Sequence, residues 1–128
     1  MDGVVHFEIP IEDEGRATKF YEKVFGWKVQ AVPDMSYHMV HTVDVDEKHM
    51  PKEAGKINGG FYKKGGKGSQ TSVIVINVAN VDKHIKKIEA AGGKLFMPKN
   101  KVGDMGYYAQ VKDTEGNIVG IWETIPKK

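Results

Sequence analysis

Hydrophobic and polar positions alternate through Val4–Pro10, so Val5, Phe7 and Ile9 fall on one side of an extended segment and Val4, His6 and Glu8 on the other. The period then changes to that of a helix. Ala17, Phe20, Tyr21 and Val24 recur at i, i+3, i+4 and i+7, with Asp13 placed to cap the start and Gly26 to stop the end. Such a helix can lie on the Val5, Phe7 and Ile9 side, which leaves His6 and Glu8 together on the opposite face. Trp27–Ala31 reads as a short strand, Pro33-Asp34 as a turn, Tyr37–Val43 as a second extended run, and Asp44–Gly55 as a polar loop. Ile57–Tyr62 is a glycine-weakened strand, and KKGGKGSQ at residues 63–70 reads as a flexible linker rather than a phosphate loop.

The pattern then begins again. Ser72–Val78 is a β-branched strand, Asn80 a helix cap, Val81, Ile85 and Ile88 an apolar stripe, and Gly92-Gly93 a stop. Asp13 and Gly26 recur as Asn80 and Gly93 at a common offset of 67, which places Val73 at the position of His6. Asp34-Met35-Ser36-Tyr37 is echoed by Asp104-Met105-Gly106-Tyr107 at an offset of 70, and Gly55, Ile57 and Gly59 by Gly116, Ile118 and Gly120 at 61. Two copies of one strand-helix-strand-strand-strand unit are implied. One helix covers only one face of such a sheet. The expected fold is therefore α+β: two tandem βαβββ modules forming a curved, cup-shaped mixed sheet of about eight strands, with helices on the convex side and a concave face free for a ligand. The expected domain is single, residues 1–128, with module one at 1–63, a linker at 64–71 and module two at 72–128.

Composition narrows the function classes. A net charge of +2 with scattered lysines gives no nucleic-acid footprint. The absence of cysteine removes disulfides and thiolate metal sites, and no run of about 18 apolar residues suggests a membrane span, so a cytoplasmic protein is expected.

The stretches HFEIP at 6–10, RATKFYEKVFGW at 16–27, INGG at 57–60, EAAGGKL at 89–95 and DTEGNIVGIWE at 113–123 resemble the vicinal oxygen chelate superfamily, which includes glyoxalase I, extradiol dioxygenases and bleomycin-resistance proteins. The resemblance implies paired βαβββ modules, a ligand cup and often a homodimer. It also implies that metal-dependent members take one ligand from the first and one from the last strand of each module. Those positions carry His6, Val73, Gly59 and Gly120 here, so His6 is the one ligand-type residue and the usual divalent metal site is not expected. Glycine at the other two positions instead opens the floor of the cup.

Candidate chemistry centres on His6 and Glu8, a same-face pair able to bind a ligand or move a proton, with filling of a polar cavity wall as the alternative. Asn58, Gly59, Gly120, Trp122, Tyr37 and Tyr108 are the expected ligand contacts, and Trp27 and Tyr107 are further aromatics that could line the cup. The resulting expectation is a small-molecule binding protein that does without the usual metal. A metal-dependent lyase, isomerase or dioxygenase using His6, Glu8 and either His38 or His41 is the first alternative. An antibiotic-sequestering protein is the second, opposed by the positive net charge.

Overall fold

The computed structural model describes residues 1–126. Among them lie eight strands and two helices in the order β1 (Val4–Ile11), α1 (Glu14–Phe25), β2 (Lys28–Ala31), β3 (Tyr37–His41), β4 (Gly59–Lys63), β5 (Val73–Asn77), α2 (Val81–Ala90), β6 (Lys94–Val102), β7 (Gly106–Lys112) and β8 (Ile118–Thr124). This is the α+β pair of βαβββ repeats expected from the sequence. The contacts resolve into two compact units, one holding His6–Gly66 and Gln70–Ser72, the other Met1–Val5, Lys67–Ser69 and residues 73–126.

In the first unit the strands run β2-β3-β4-β1, with β1 parallel to β4 and the other pairs antiparallel. Helix α1 begins where the Asp13 side chain accepts the Arg16 amide at 2.8 Å and ends at Gly26, whose φ of 72° is the left-handed geometry a helix stop needs. The predicted apolar stripe is only partly used. Phe20 and Val24 are exposed, whereas Tyr21 stacks on Trp27 with ring centroids 4.8 Å apart and reaches Phe61 at 5.3 Å. Phe7 meets Trp27 at 5.5 Å. Trp27 therefore belongs to the helix side of the sheet, not to the opposite face.

The second unit repeats the arrangement as β5-β8-β7-β6, with β5 parallel to β8. Its core is Val78, Val81, Ala109, Val111 and Ile121, with Ile85 and Ile88 of α2 packed against it. Asn80 caps α2 by accepting from the Lys83 amide at 2.9 Å, and Glu123 of β8 accepts from the Val81 amide at 2.9 Å, so a strand carboxylate completes the cap. The helix stops one residue earlier than the repeat suggested: Gly92 takes the left-handed φ of 100°, while Gly93 packs tightly on Ile88. Tyr107 sits on the helix side with the Lys99 ammonium 4.8 Å above its ring, which corrects its placement among the cup aromatics.

The glycine-rich stretch after β4 is not a free tether. Ser69 is buried and its amide donates to Gln110 Oε1 at 2.8 Å, while the Gly65 amide donates to Gln70 Oε1 at 3.0 Å. The Asp44–Gly55 loop is also built, around a Val45–Pro51 bridge and an Asp46 carboxylate that accepts the Lys48 and Met50 amides at 2.8 and 3.0 Å.

Candidate functional site

Strand alternation sorts the first unit into two faces. Phe7 pairs in register with Gly59 and Ile9 with Phe61 on the α1 side; Glu8 pairs with Gly60 and Pro10 with Tyr62 on the other. Across β3, Met39 pairs with Gly60 and Tyr37 with Tyr62, adding Tyr37 and Met39 to the face that carries His6 and Glu8.

On that face the polar pair of the sequence becomes a chain of three. His6 Nε2 lies 2.9 Å from the Tyr37 hydroxyl, and the same hydroxyl hydrogen-bonds the Glu8 side chain. Glu8 is only 8% exposed, and His6 and Tyr37 beside it are half-buried. A phenol has one hydrogen to give. With that hydrogen on Glu8, the His6 Nε2–H must donate to the Tyr37 oxygen, which leaves Nδ1 as the acceptor nitrogen of a neutral imidazole. Burial supports this protonation state by lowering the His6 pKa from 6.5 to about 4. Burial also raises the Tyr37 pKa well above the phenol range, and the nearby Glu8 and Tyr62 push the same way. At neutral pH the site holds an uncharged imidazole and an intact phenol.

Tyr37 is positioned by a missing side chain. A Cβ at Gly60 would overlap the Tyr37 hydroxyl and ring, so the phenol can lie flat across β4 only because residue 60 is glycine. Gly59 points the other way, where a Cβ would collide with the Phe7 carbonyl and ring. The expectation that Gly59 opens the ligand face is therefore corrected: the strand register makes Gly60 the residue on that face. Asn58 is also not free to serve as expected, because its side-chain oxygen accepts the Thr42 and Val43 amides at 2.8 and 3.1 Å and ties down the end of β3.

The second unit shows the same device with different neighbours. Tyr108 pairs with Trp122 and Gln110 with Gly120 on the face opposite α2, and a Cβ at Gly120 would come within 2.8 Å of the Tyr108 ring and hydroxyl. Tyr37 over Gly60 thus corresponds to Tyr108 over Gly120. The positions of His6 and Glu8 are occupied there by Val73 and Val75, both buried, and the Tyr108 hydroxyl accepts from Gln110 Nε2 at 2.9 Å. Trp122 shares the Gly120 face, with its indole N–H donating to Thr124 at 2.9 Å.

The donor set does not fit the four-ligand metal centre that the fold suggests. After the register correction the first-strand and last-strand positions carry His6, Gly60, Val73 and Gly120, and His6 already uses Nε2 on Tyr37. His38 cannot supplement them, because its Nε2 lies 3.0 Å from Glu14 on the α1 side; His41 falls on the opposite face of the same strand, the one that carries Tyr37 and Met39. Among the described residues, no group of three or more histidine, cysteine, aspartate or glutamate side chains is placed to hold an ion.

A family model, Glyoxalase/Bleomycin resistance protein/Dioxygenase superfamily, matches residues 3–121. No curated protein matches the chain. Among solved structures, a hypothetical protein, BH1468 from Bacillus halodurans C-125, is similar at 12% identity and a TM-score of 0.65, covering 99% of this chain and 97% of that one. A methylmalonyl-CoA epimerase in complex with methylmalonyl-CoA and ammonium is similar at 13% identity and a TM-score of 0.63, over 100% and 99% of the two chains. An NAD-dependent benzaldehyde dehydrogenase from Legionella pneumophila gives 12% identity and 0.61 over 93% and 97%. These likenesses carry the fold alone.

Proposed function

From a chain that belongs to the Glyoxalase/Bleomycin resistance protein/Dioxygenase superfamily, we propose a protein that binds a small organic molecule against His6, Tyr37 and Glu8 without the family's four-ligand metal centre. The observation that carries this reading is the buried His6–Tyr37–Glu8 chain, in which the one surviving ligand-type residue is already hydrogen-bonded to a phenol. With Nε2–H turned to Tyr37, His6 offers a lone pair only at Nδ1, and among the described residues no group of three or more metal-ligating side chains is placed to share an ion with it. The chain has one direction of polarity, from imidazole N–H through phenol O–H to carboxylate. Its open end is the acceptor Nδ1, which suits a ligand bringing an O–H or N–H donor. If that donor is acidic, Nδ1 is also the atom that would receive its proton.

Tyr108 and Trp122 supply a second aromatic surface for the same class of ligand, and Gly120 lets Tyr108 lie flat. A structure of this fold holds methylmalonyl-CoA, which agrees with a small organic ligand and, at 13% identity, transfers no substrate. The rearranged metal enzyme has no support of this kind: His38 is engaged by Glu14, and His41, on the Tyr37 face, joins no group of three or more metal-ligating side chains among the described residues. We carry forward a homodimer, motivated by the exposed Phe20, Val24 and Phe25 of α1, and a cytoplasmic setting, motivated by the cysteine-free sequence. No described helix is long and apolar enough to cross a membrane.

Native mass spectrometry of protein purified without chelator tests the reading. The expected spectrum shows a small organic adduct that is lost in Tyr37→Phe and His6→Asn proteins. A stoichiometric divalent ion lost on His6→Asn would contradict it.

A further inference from the structure

We propose that the ligand carries an anionic group, a carboxylate or phosphate, held by Lys28, Lys52 and His41 at the outer end of the face that bears His6 and Tyr37. This rests on the preceding reading that an organic molecule sits against that face. A cleft of about 530 Å³ is lined there by Lys28, Gln30, His41, Asp44 and Lys52, among others.

Three separate pieces of the fold deliver these groups. Lys28 pairs in register with His41, and Gln30 with Met39, which puts them on the same face of the sheet as Met39 and Tyr37. Lys52 comes from the loop after β3, 24 residues beyond Lys28 in sequence. It is brought back by the Val45–Pro51 bridge and by its own amide, which donates to the Asp44 carbonyl at 2.8 Å. The loop is braced by the Asp46 side chain through its two backbone bonds, which with the Lys52 amide fix where the backbone presents Lys52.

Two lysines and a histidine line the cleft together with a single aspartate. Asp44 takes Lys28 at 3.3 Å, with both side chains mostly exposed, so this pair opens at little cost. Lys52 makes no ion pair among the described residues, and a ligand anion would complete the balance. The two ends of the face then differ in character: a neutral imidazole and phenol backed by the buried Glu8 at one end, positive charge at Lys28 and Lys52 at the other. A molecule with one polar uncharged end and one anionic end matches both.

The probe is inorganic phosphate, titrated into ¹⁵N-labelled full-length protein at constant ionic strength and followed by amide NMR shifts. Saturable shifts are expected at Lys28–Gln30 and Asp44–Lys52, weakened about tenfold or more in a Lys28→Gln, Lys52→Gln protein, as loss of two charge-assisted contacts implies. Tyr37→Phe should leave phosphate binding intact. Shifts that grow without saturation, scatter over the 19 lysines and arginines, or survive the double substitution would overturn the proposal. If phosphate fails while an organic adduct is still seen and still depends on Tyr37, only the anionic end is wrong. If the adduct is absent as well, both readings fall.

Discussion

At the scale of residues, the sequence put His6 and Glu8 on one face, and they are there. What it could not show was Tyr37 between them, because a partner 31 residues away is chosen by strand pairing and not by spacing. The burial of a neutral imidazole has a pH signature. The folded pKa of about 4 lies below the unfolded 6.5, so His6 contributes stability that is fully present above 6.5 and is lost as pH falls toward 4. The loss is on the order of 3 kcal/mol across that window. Urea unfolding of wild type and His6→Asn between pH 7 and pH 4.5 should show the wild-type curve falling more steeply; parallel curves would contradict the assignment. Tyr37→Phe removes the bridge between the buried Glu8 and the half-buried His6 and should cost about 2 kcal/mol at pH 7 in the same measurement.

At the scale of elements, caps were readable and register was not. Asp13, Gly26 and Asn80 act as their chemistry dictates, since a cap is a local hydrogen bond whose partner lies three or four residues away. The echoes between the two repeats lie in turns, and a turn lengthens by one residue without changing its letters. That single residue exchanged Gly59 for Gly60 and Tyr107 for Tyr108, because in a strand every slip of one reverses the face. The two neighbouring glycines therefore make opposite predictions. Gly59→Ala drives a methyl into the Phe7 carbonyl and ring and should lower stability by about 1 to 3 kcal/mol. Gly60→Ala displaces the Tyr37 phenol and should abolish ligand retention in the mass spectrum with a smaller change in the urea midpoint. Equal effects of the two substitutions on retention would refute the face assignment.

At the scale of the whole molecule, the repeat was legible because two copies of a cap, a stop and a strand survive at nearly constant offsets. The fate of residues 64–72 was not legible, because a glycine-rich composition reports the freedom of the unfolded chain and not the contacts that remove it. Ser69 is held by Gln110, a residue 2% exposed whose amide also serves Tyr108. Gln110→Ala should leave the Ser69 amide and the Tyr108 hydroxyl without this partner, and limited proteolysis should then cut within residues 64–72 faster than in wild type. The division of labour between copies follows from the same comparison. Both place a tyrosine over a glycine, but one surrounds it with imidazole and carboxylate and the other with valines and an amide.

The claim on which the rest depends is that His6 is a neutral donor to Tyr37 and not a metal ligand, and long-range ¹H–¹⁵N NMR of the His6 ring reads this directly. The account predicts a protonated Nε2 and a free Nδ1 at pH 7, no titration until the pH approaches about 4, and no change on adding zinc. A ring that titrates near 6.5, or whose nitrogen shift moves stoichiometrically with zinc, would contradict it.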